Sequence, residues 1–253
     1  MRRKSVLVSR PGDLYPQAAR QVNGWTGGDV AISYLQRDFP EAPRARRRKG
    51  TATVSRSHAL SVRWRVPLAL VAIVLTLQAA RWRQALEYRR TAVLRGQVWR
   101  LLTGNLVHLG WVHLARDLAG LFLIWGLVGD SLDERSWLWV LGTSGLAVGL
   151  GLLVFSPGIT WYVGISGVLF GVFCAGALCQ LPEHPGFAGV LLLGMVTVIA
   201  WTLYAGALPG ETVDLGGRVV PQAHLYGALG GGAFILVRTA LRTQRSAAVR
   251  SDP

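Results

Sequence analysis

Few side chains in this 253-residue chain combine reactive chemistry with apolar surroundings, and Ser166 is the first of them. It stands in Trp161-Tyr162-Val163-Gly164-Ile165-Ser166-Gly167-Val168-Leu169-Phe170-Gly171, one hydroxyl among glycines at the mouth of an apolar helix. A serine in such a helix ordinarily bonds its own backbone or permits close packing. It becomes a nucleophile when a base lies within hydrogen-bond reach. The best candidate base is His224, in Gln222-Ala223-His224-Leu225-Tyr226-Gly227-Ala228-Leu229-Gly230-Gly231-Gly232, one turn before a glycine ridge. Gly164, Gly167 and Gly171 form a matching small-residue face. If the two faces meet, the backbones approach closely enough to pair Ser166 with His224; the alternative is generic glycine packing around a locally bonded histidine.

Composition says what must hold these residues. The chain is 51% hydrophobic and carries 27 Lys+Arg against 13 Asp+Glu, a formal net charge of +14. Through Arg65 there are 14 Lys/Arg and 4 Asp/Glu, so that segment supplies +10 of the +14. A nucleic-acid reading needs the basic residues on a folded, groove-shaped surface, whereas here they gather before residue 66 and after residue 237. Apolar, glycine-rich sequence between basic ends is the pattern of an all-α polytopic membrane protein in a lipid bilayer. Cys174 and Cys179, five apart in one apolar segment, have neither disulfide nor metal spacing and read as packing residues. No metal or cofactor is implied.

In chain order, residues 1–60 lack periodicity and carry the self-repelling run Arg44-Ala45-Arg46-Arg47-Arg48-Lys49, which predicts a disordered cytoplasmic tail. No apolar core follows Met1 closely enough for a signal peptide. Six apolar spans follow, at about 66–80, 106–129, 137–155, 163–181, 187–207 and 219–237. The connection 81–105, rich in arginine and aromatic residues, is expected to lie along the membrane interface. Residues 208–221 form a polar loop, and 241–253 a basic C-terminal tail. Six spans put both termini on the cytoplasmic side, with Ser166 and His224 just inside the outer face. The first outer loop, with six arginines, opposes this bias; the two termini outweigh it.

The second span holds His108, His113, Arg116 and Asp117, and ionisable groups at such depth are candidates for function. The run Trp99-Arg100-Leu101-Leu102-Thr103-Gly104-Asn105-Leu106-Val107-His108-Leu109-Gly110-Trp111-Val112-His113-Leu114-Ala115-Arg116-Asp117, with Gly164-Ile165-Ser166-Gly167 and Ala223-His224-Leu225-Tyr226-Gly227, resembles the rhomboid family of intramembrane serine proteases. Each piece is weak alone; the three in order, on the second, fourth and sixth spans, are specific. The resemblance covers roughly residues 66–237. It does not extend to α/β-hydrolases: the serine motif is not G-x-S-x-G, and an all-helical chain offers no strand before it.

The resemblance implies a six-helix bundle over 61–240 in which Ser166 is the nucleophile and His224 the general base, without a third carboxylate. It implies that His113 stabilises the oxyanion and that Gly164 belongs to the family's GxSG signature, while His108 would be structural, bonding loop backbone. Asp117 departs from the family, which commonly has asparagine there. As a carboxylate it would repel the tetrahedral intermediate; as a neutral acid it could donate to it; or it could pair with His113 or an arginine.

The Trp-Arg-Leu-Leu-Thr-Gly opening and glycine-rich core look like the rhombosortase branch, linked to cleavage of C-terminal sorting tails with a Gly-Gly motif, a transmembrane helix and a basic end. The resemblance then implies an endopeptidase of a bacterial inner membrane, opening to the outer face, with membrane-protein substrates, no nucleic-acid partner and residues 208–221 as a movable cap. The competing reading is a non-catalytic relative that binds membrane clients, for which Asp117 is the feature in favour.

Overall fold

The computed structural model describes residues 64–206 and 219–251, with side chains through residue 248. The 1–60 tail and most of the 208–221 loop lie outside the described residues. Among the described residues there are nine helices: α1 (Arg65–Ala79), α2 (Arg83–Leu86), α3 (Arg90–Leu94), α4 (Arg100–Thr103), α5 (Trp111–Val128), α6 (Glu134–Phe155), α7 (Ser166–Gln180), α8 (Pro185–Ala205) and α9 (Pro221–Ser251). Three of them, α5 with the turn that ends it, α6 and α8, are long and apolar enough to cross a membrane; α1 and α7 are shorter apolar helices.

α7 is the middle of the bundle, touched by α5, α6, α8 and α9. Its buried residues, among them Gly167, Leu169, Gly171, Val172, Ala175 and Gly176, face every direction, as expected of a helix that is apolar all round. α5 instead buries one stripe, Leu114, Asp117, Leu121, Trp125 and Val128, at the three- and four-residue spacing of a helix face. Asp117 therefore points inward. α8 buries only Ala188, Met195, Ile199 and Thr202 and leaves Val190, Leu193, Val196 and Trp201 exposed. It is held along a single narrow seam.

Small residues set how near α7 and α9 come. A Cβ on Gly167 would lie 2.8 Å from the Ala223 carbonyl oxygen, and one on Gly227 would lie 2.6 Å from the Gly167 carbonyl carbon. Such backbone approach is what glycine permits and any side chain forbids. α6 joins the same packing, because Gly149 faces the backbone of Leu101 and Gly151 the ring of Tyr226.

The structure corrects several expectations. Residues 81–105 form a folded layer, α2 to α4, with Glu87, Tyr88 and Arg100 buried, where only an irregular amphipathic connection was expected. Arg100 donates to the carbonyls of Gln84 and Glu87, satisfying its charge inside that layer. A strand does precede the serine: β1 (Tyr88–Arg89) pairs antiparallel with β2 (Trp161–Tyr162), matching Tyr88 to Tyr162. Two residues per strand are below what hydropathy patterning can register. α5 starts at Trp111 rather than near 106, since Gly104–Leu106 forms a 3-10 turn and Gly110 is fully extended. α7 starts at Ser166, not Val163. α9 continues through Ser251, so the basic tail is helical over 241–251; arginine, alanine and glutamine there are good helix formers.

At the end of the bundle away from Ser166, Asp133 caps α6. Its carboxylate accepts from the Ser136 N–H at 2.7 Å and from the Ser136 hydroxyl at 2.5 Å, while Arg238 of α9 donates to it at 2.7 Å. The Ser136 hydroxyl chiefly, then the Ser136 N–H and Arg238, hold the Asp133 carboxyl below its usual range against the opposing effect of burial.

Two outcomes are expected. Gly227→Ala lowers the thermal unfolding midpoint in detergent, with a loss of about 3 kcal/mol from overpacking, whereas Gly189→Ala on α8, where a Cβ meets nothing within 4 Å, leaves it unchanged. A depressed folded-state pKa contributes stability that is present above the unfolded value, about 3.9, and lost as pH falls through the folded one. Asp133→Asn therefore lowers stability at neutral pH and flattens its decline on acidification, read from melting midpoints across pH.

Candidate active site

Ser166 is the first residue of α7, and the turn before it is forced by Gly164. That residue has φ of +118°, a conformation side chains rarely adopt, and its N–H donates to the Gly104 carbonyl at 3.3 Å. A Cβ there would lie 2.9 Å from the His113 ring and 3.5 Å from Asp117 Oδ2. Glycine thus lets the chain reverse and lets His113 stand against the turn. No side chain caps α7, so its first N–H groups and the positive end of its dipole face the same space as the hydroxyl.

His224 lies in the first turn of α9, and the glycine contacts bring it to α7. Its Nε2 is 3.1 Å from Ser166 Oγ. Phe170, one turn after the serine, stacks on the imidazole with centroids 4.4 Å apart and planes 12° apart. His224 Nδ1 is buried without a hydrogen-bond partner among the described residues. The ring is oriented by stacking rather than by a carboxylate.

His113 and Asp117, one turn apart on α5, meet the serine turn from the other side. His113 Nδ1 accepts from the Leu109 N–H at 3.4 Å, which leaves the proton on Nε2. That nitrogen is 3.5 Å from Asp117 Oδ2. The same oxygen accepts from the Ile165 N–H at 3.1 Å and lies 3.2 Å from His108 Nε2. His108 is buried, and neither ring nitrogen is aligned for a hydrogen bond. It packs edge-on against the His113 ring, centroids 5.2 Å apart. The expected bond from His108 to loop backbone is therefore replaced by contact with Asp117, because the ring turns inward from a loop that the layer above has closed.

These groups share a cavity of about 480 Å³ bounded by β2, α5, α7, α8 and the start of α9. A larger cavity, about 1170 Å³, opens at the opposite end beside Asp133 and Arg238, and no histidine lines it among the described residues. Ser166, His224, His113 and Asp117 all line the smaller one, and Gly164 stands against His113 just behind it.

Two residues of the site carried no signal in the sequence beyond being aromatic. Phe170 shares a helix face with Ser166, four residues apart, and that spacing could have marked it. Tyr162 belongs to β2, and its hydroxyl donates to the Gly164 carbonyl at 2.7 Å. Burial first, and then the nearby Asp117 carboxylate, push its phenol well above the usual range; it stays protonated and acts as a donor. It braces the turn that presents Ser166.

A family model described as Rhomboid domain matches residues 95–240, more than half of the chain and all of the cavity's catalytic candidates. A Bacillus subtilis protein, YdcA, whose name provisionally places it among the rhomboid proteases, is 26% identical over 150 residues, 59% of this chain and 72% of that protein. RHOMBOID-like protein 2 of Arabidopsis thaliana is 32% identical over 162 residues, 61% of this chain and 47% of the relative. Rhomboid protease GluP of Bacillus subtilis is 28% identical over 141 residues, 55% of this chain but 26% of the relative. For the last two, the chain spans half or less of the relative's length. Taken with its apolar helices, the match means that this multi-pass membrane protein belongs to the rhomboid family.

Proposed function

We propose that the protein is an intramembrane serine endopeptidase working with a Ser166–His224 dyad, and the observation that carries this reading is the 3.1 Å contact between Oγ and Nε2 at a cavity of about 480 Å³. Ser166 Oγ attacks the scissile carbonyl carbon and its proton passes to His224 Nε2. The carbonyl's electron pair collects on oxygen, facing His113 Nε2–H and the N–H groups of the first turn of α7. As the intermediate collapses, the C–N bond breaks and the leaving amine takes the proton from His224; water then repeats the sequence on the acyl-enzyme. His224 must carry its resting proton on Nδ1, and Phe170 holds the ring in place for both transfers.

The bundle that supports this chemistry has six crossings, formed by α1, α5, α6, α7, α8 and the first part of α9. Both termini lie on the cytoplasmic side of a bacterial inner membrane, and the cavity opens to the outer face. Substrates are membrane proteins cut within or beside a transmembrane segment, the rhombosortase-like class being C-terminal tails with Gly-Gly, a helix and a basic end. A non-catalytic client-binding protein is the second reading, favoured by the carboxylate of Asp117 at the oxyanion donors.

Ser166→Ala and His224→Ala each reduce cleavage at least about a thousandfold and abolish labelling by a fluorophosphonate; a labelled wild-type Ser166 rules out the non-catalytic reading. Gly164→Ala strains the turn by about 1–3 kcal/mol and pushes on His113, so turnover of a transmembrane peptide falls by at least about tenfold while Ser166→Ala and His224→Ala remain the more severe losses.

A further inference from the structure

Asp117 Oδ2 is surrounded by nitrogen in the way an oxyanion is. The Ile165 N–H donates to it at 3.1 Å, His113 Nε2 stands 3.5 Å away and His108 Nε2 3.2 Å away. Two of these groups, the backbone N–H preceding the nucleophile and His113 Nε2, are the donors that a tetrahedral intermediate at Ser166 needs. Such donors act only if they are aimed at where charge develops. Here they are aimed at a carboxylate that belongs to the protein.

We propose that Asp117 is a built-in brake: its carboxylate oxygen fills the oxyanion position at rest, and Ser166 turns over only when that oxygen swings off its donors. The proposal rests on the Ser166–His224 reading. A second negative oxygen cannot share the position with the first, so the carboxylate withholds both donors from catalysis and adds like-charge repulsion. An amide of the same shape removes that charge and can turn its own N–H toward the developing oxyanion.

The brake sits among few charges. From α5 itself it is faced by His113, with Arg116 on the same cavity wall; from the preceding loop by His108; from β2 by Tyr162; and from α9 by His224. The cavity walls given by α7 and α8, Ser166, Phe170, Val198 and Thr202, bring no ionisable carboxyl or amine.

The test uses the full chain in detergent and a fluorophosphonate, which reacts by forming the Ser166 Oγ–P bond and expelling fluoride while His224 takes the serine proton. Its phosphoryl oxygen needs the same donors. Asp117→Asn is expected to raise the limiting labelling rate at least about tenfold, one oxyanion donor being worth about a hundredfold, with the half-saturating concentration unchanged. A folded Asp117→Asn with equal or slower labelling overturns the brake. Asp117→Ser, shorter and uncharged, is the second variant and carries the same expectation. If neither variant keeps the wild-type melting profile, the carboxylate is a structural strut and the proposal is overturned as well. Ser166→Ala run in parallel separates the two readings: Ser166-dependent labelling without a gain sinks the brake alone, and absence of Ser166-dependent labelling in every variant sinks the dyad with it.

Discussion

The approach of α7 to α9 is the constraint on which the rest depends. With backbone against backbone at Gly167 and Gly227, the side chains just outside the crossing are brought to fixed separations. Ser166 and His224 are those side chains. The contact owes nothing to an ion pair or a third polar residue; it follows from the absence of a Cβ one residue further along α7 and about one turn further along α9. In lipid, where apolar surfaces gain nothing by meeting each other, close packing of this kind is the main source of helix association. The same atoms therefore hold the bundle and set the geometry of the dyad.

Around that crossing the chain uses different means for different tasks. The folded layer 83–103 satisfies its own charges, with Arg100 bonded to carbonyls and Glu87 to Arg89 at 2.6 Å, and through β1 it fixes the strand that leads to the serine. α6 is anchored by a cap shared with Arg238 of α9, so α9 is tied both near its start and at its middle while α8 is not. α8 touches the bundle along four buried residues, which makes it the wall of the cavity least secured by packing.

Much of this was legible in the sequence because it is periodic or local. Glycine at Gly164, Gly167 and Gly171, opposite a ridge beginning at Gly227, marks two faces that can meet, and a serine and a histidine at their edges mark what the meeting would do. The inward stripe of α5 follows from its spacing, so a buried Asp117 could be expected. His113, four residues away on the same helix, could be named as a partner; the amide could not. The Ile165 N–H is 48 residues away, and no pattern in one segment states which amide of another it will reach. Tyr162 was hidden for the same reason, since its role is a single bond to the Gly164 carbonyl. The β1–β2 pair was too short for alternation to appear, and the start of α7 depended on one positive φ. The length of α9 beyond its apolar span was not legible, because hydropathy marks the end of an apolar stretch and not of the helix that carries it.

The division of the dyad between α7 and α9 has a consequence for how the protein comes into being. Synthesis delivers the serine some sixty residues before its base, a separation of 58 positions, with a whole helix in between. Until α9 enters the bundle, Ser166 lacks its contact with His224, and the small-residue face that receives α9 has no partner. On the proposed dyad, assembly of the last helix is thus also the step that gives the hydroxyl its base, and a chain ending before α9 would carry the serine without it.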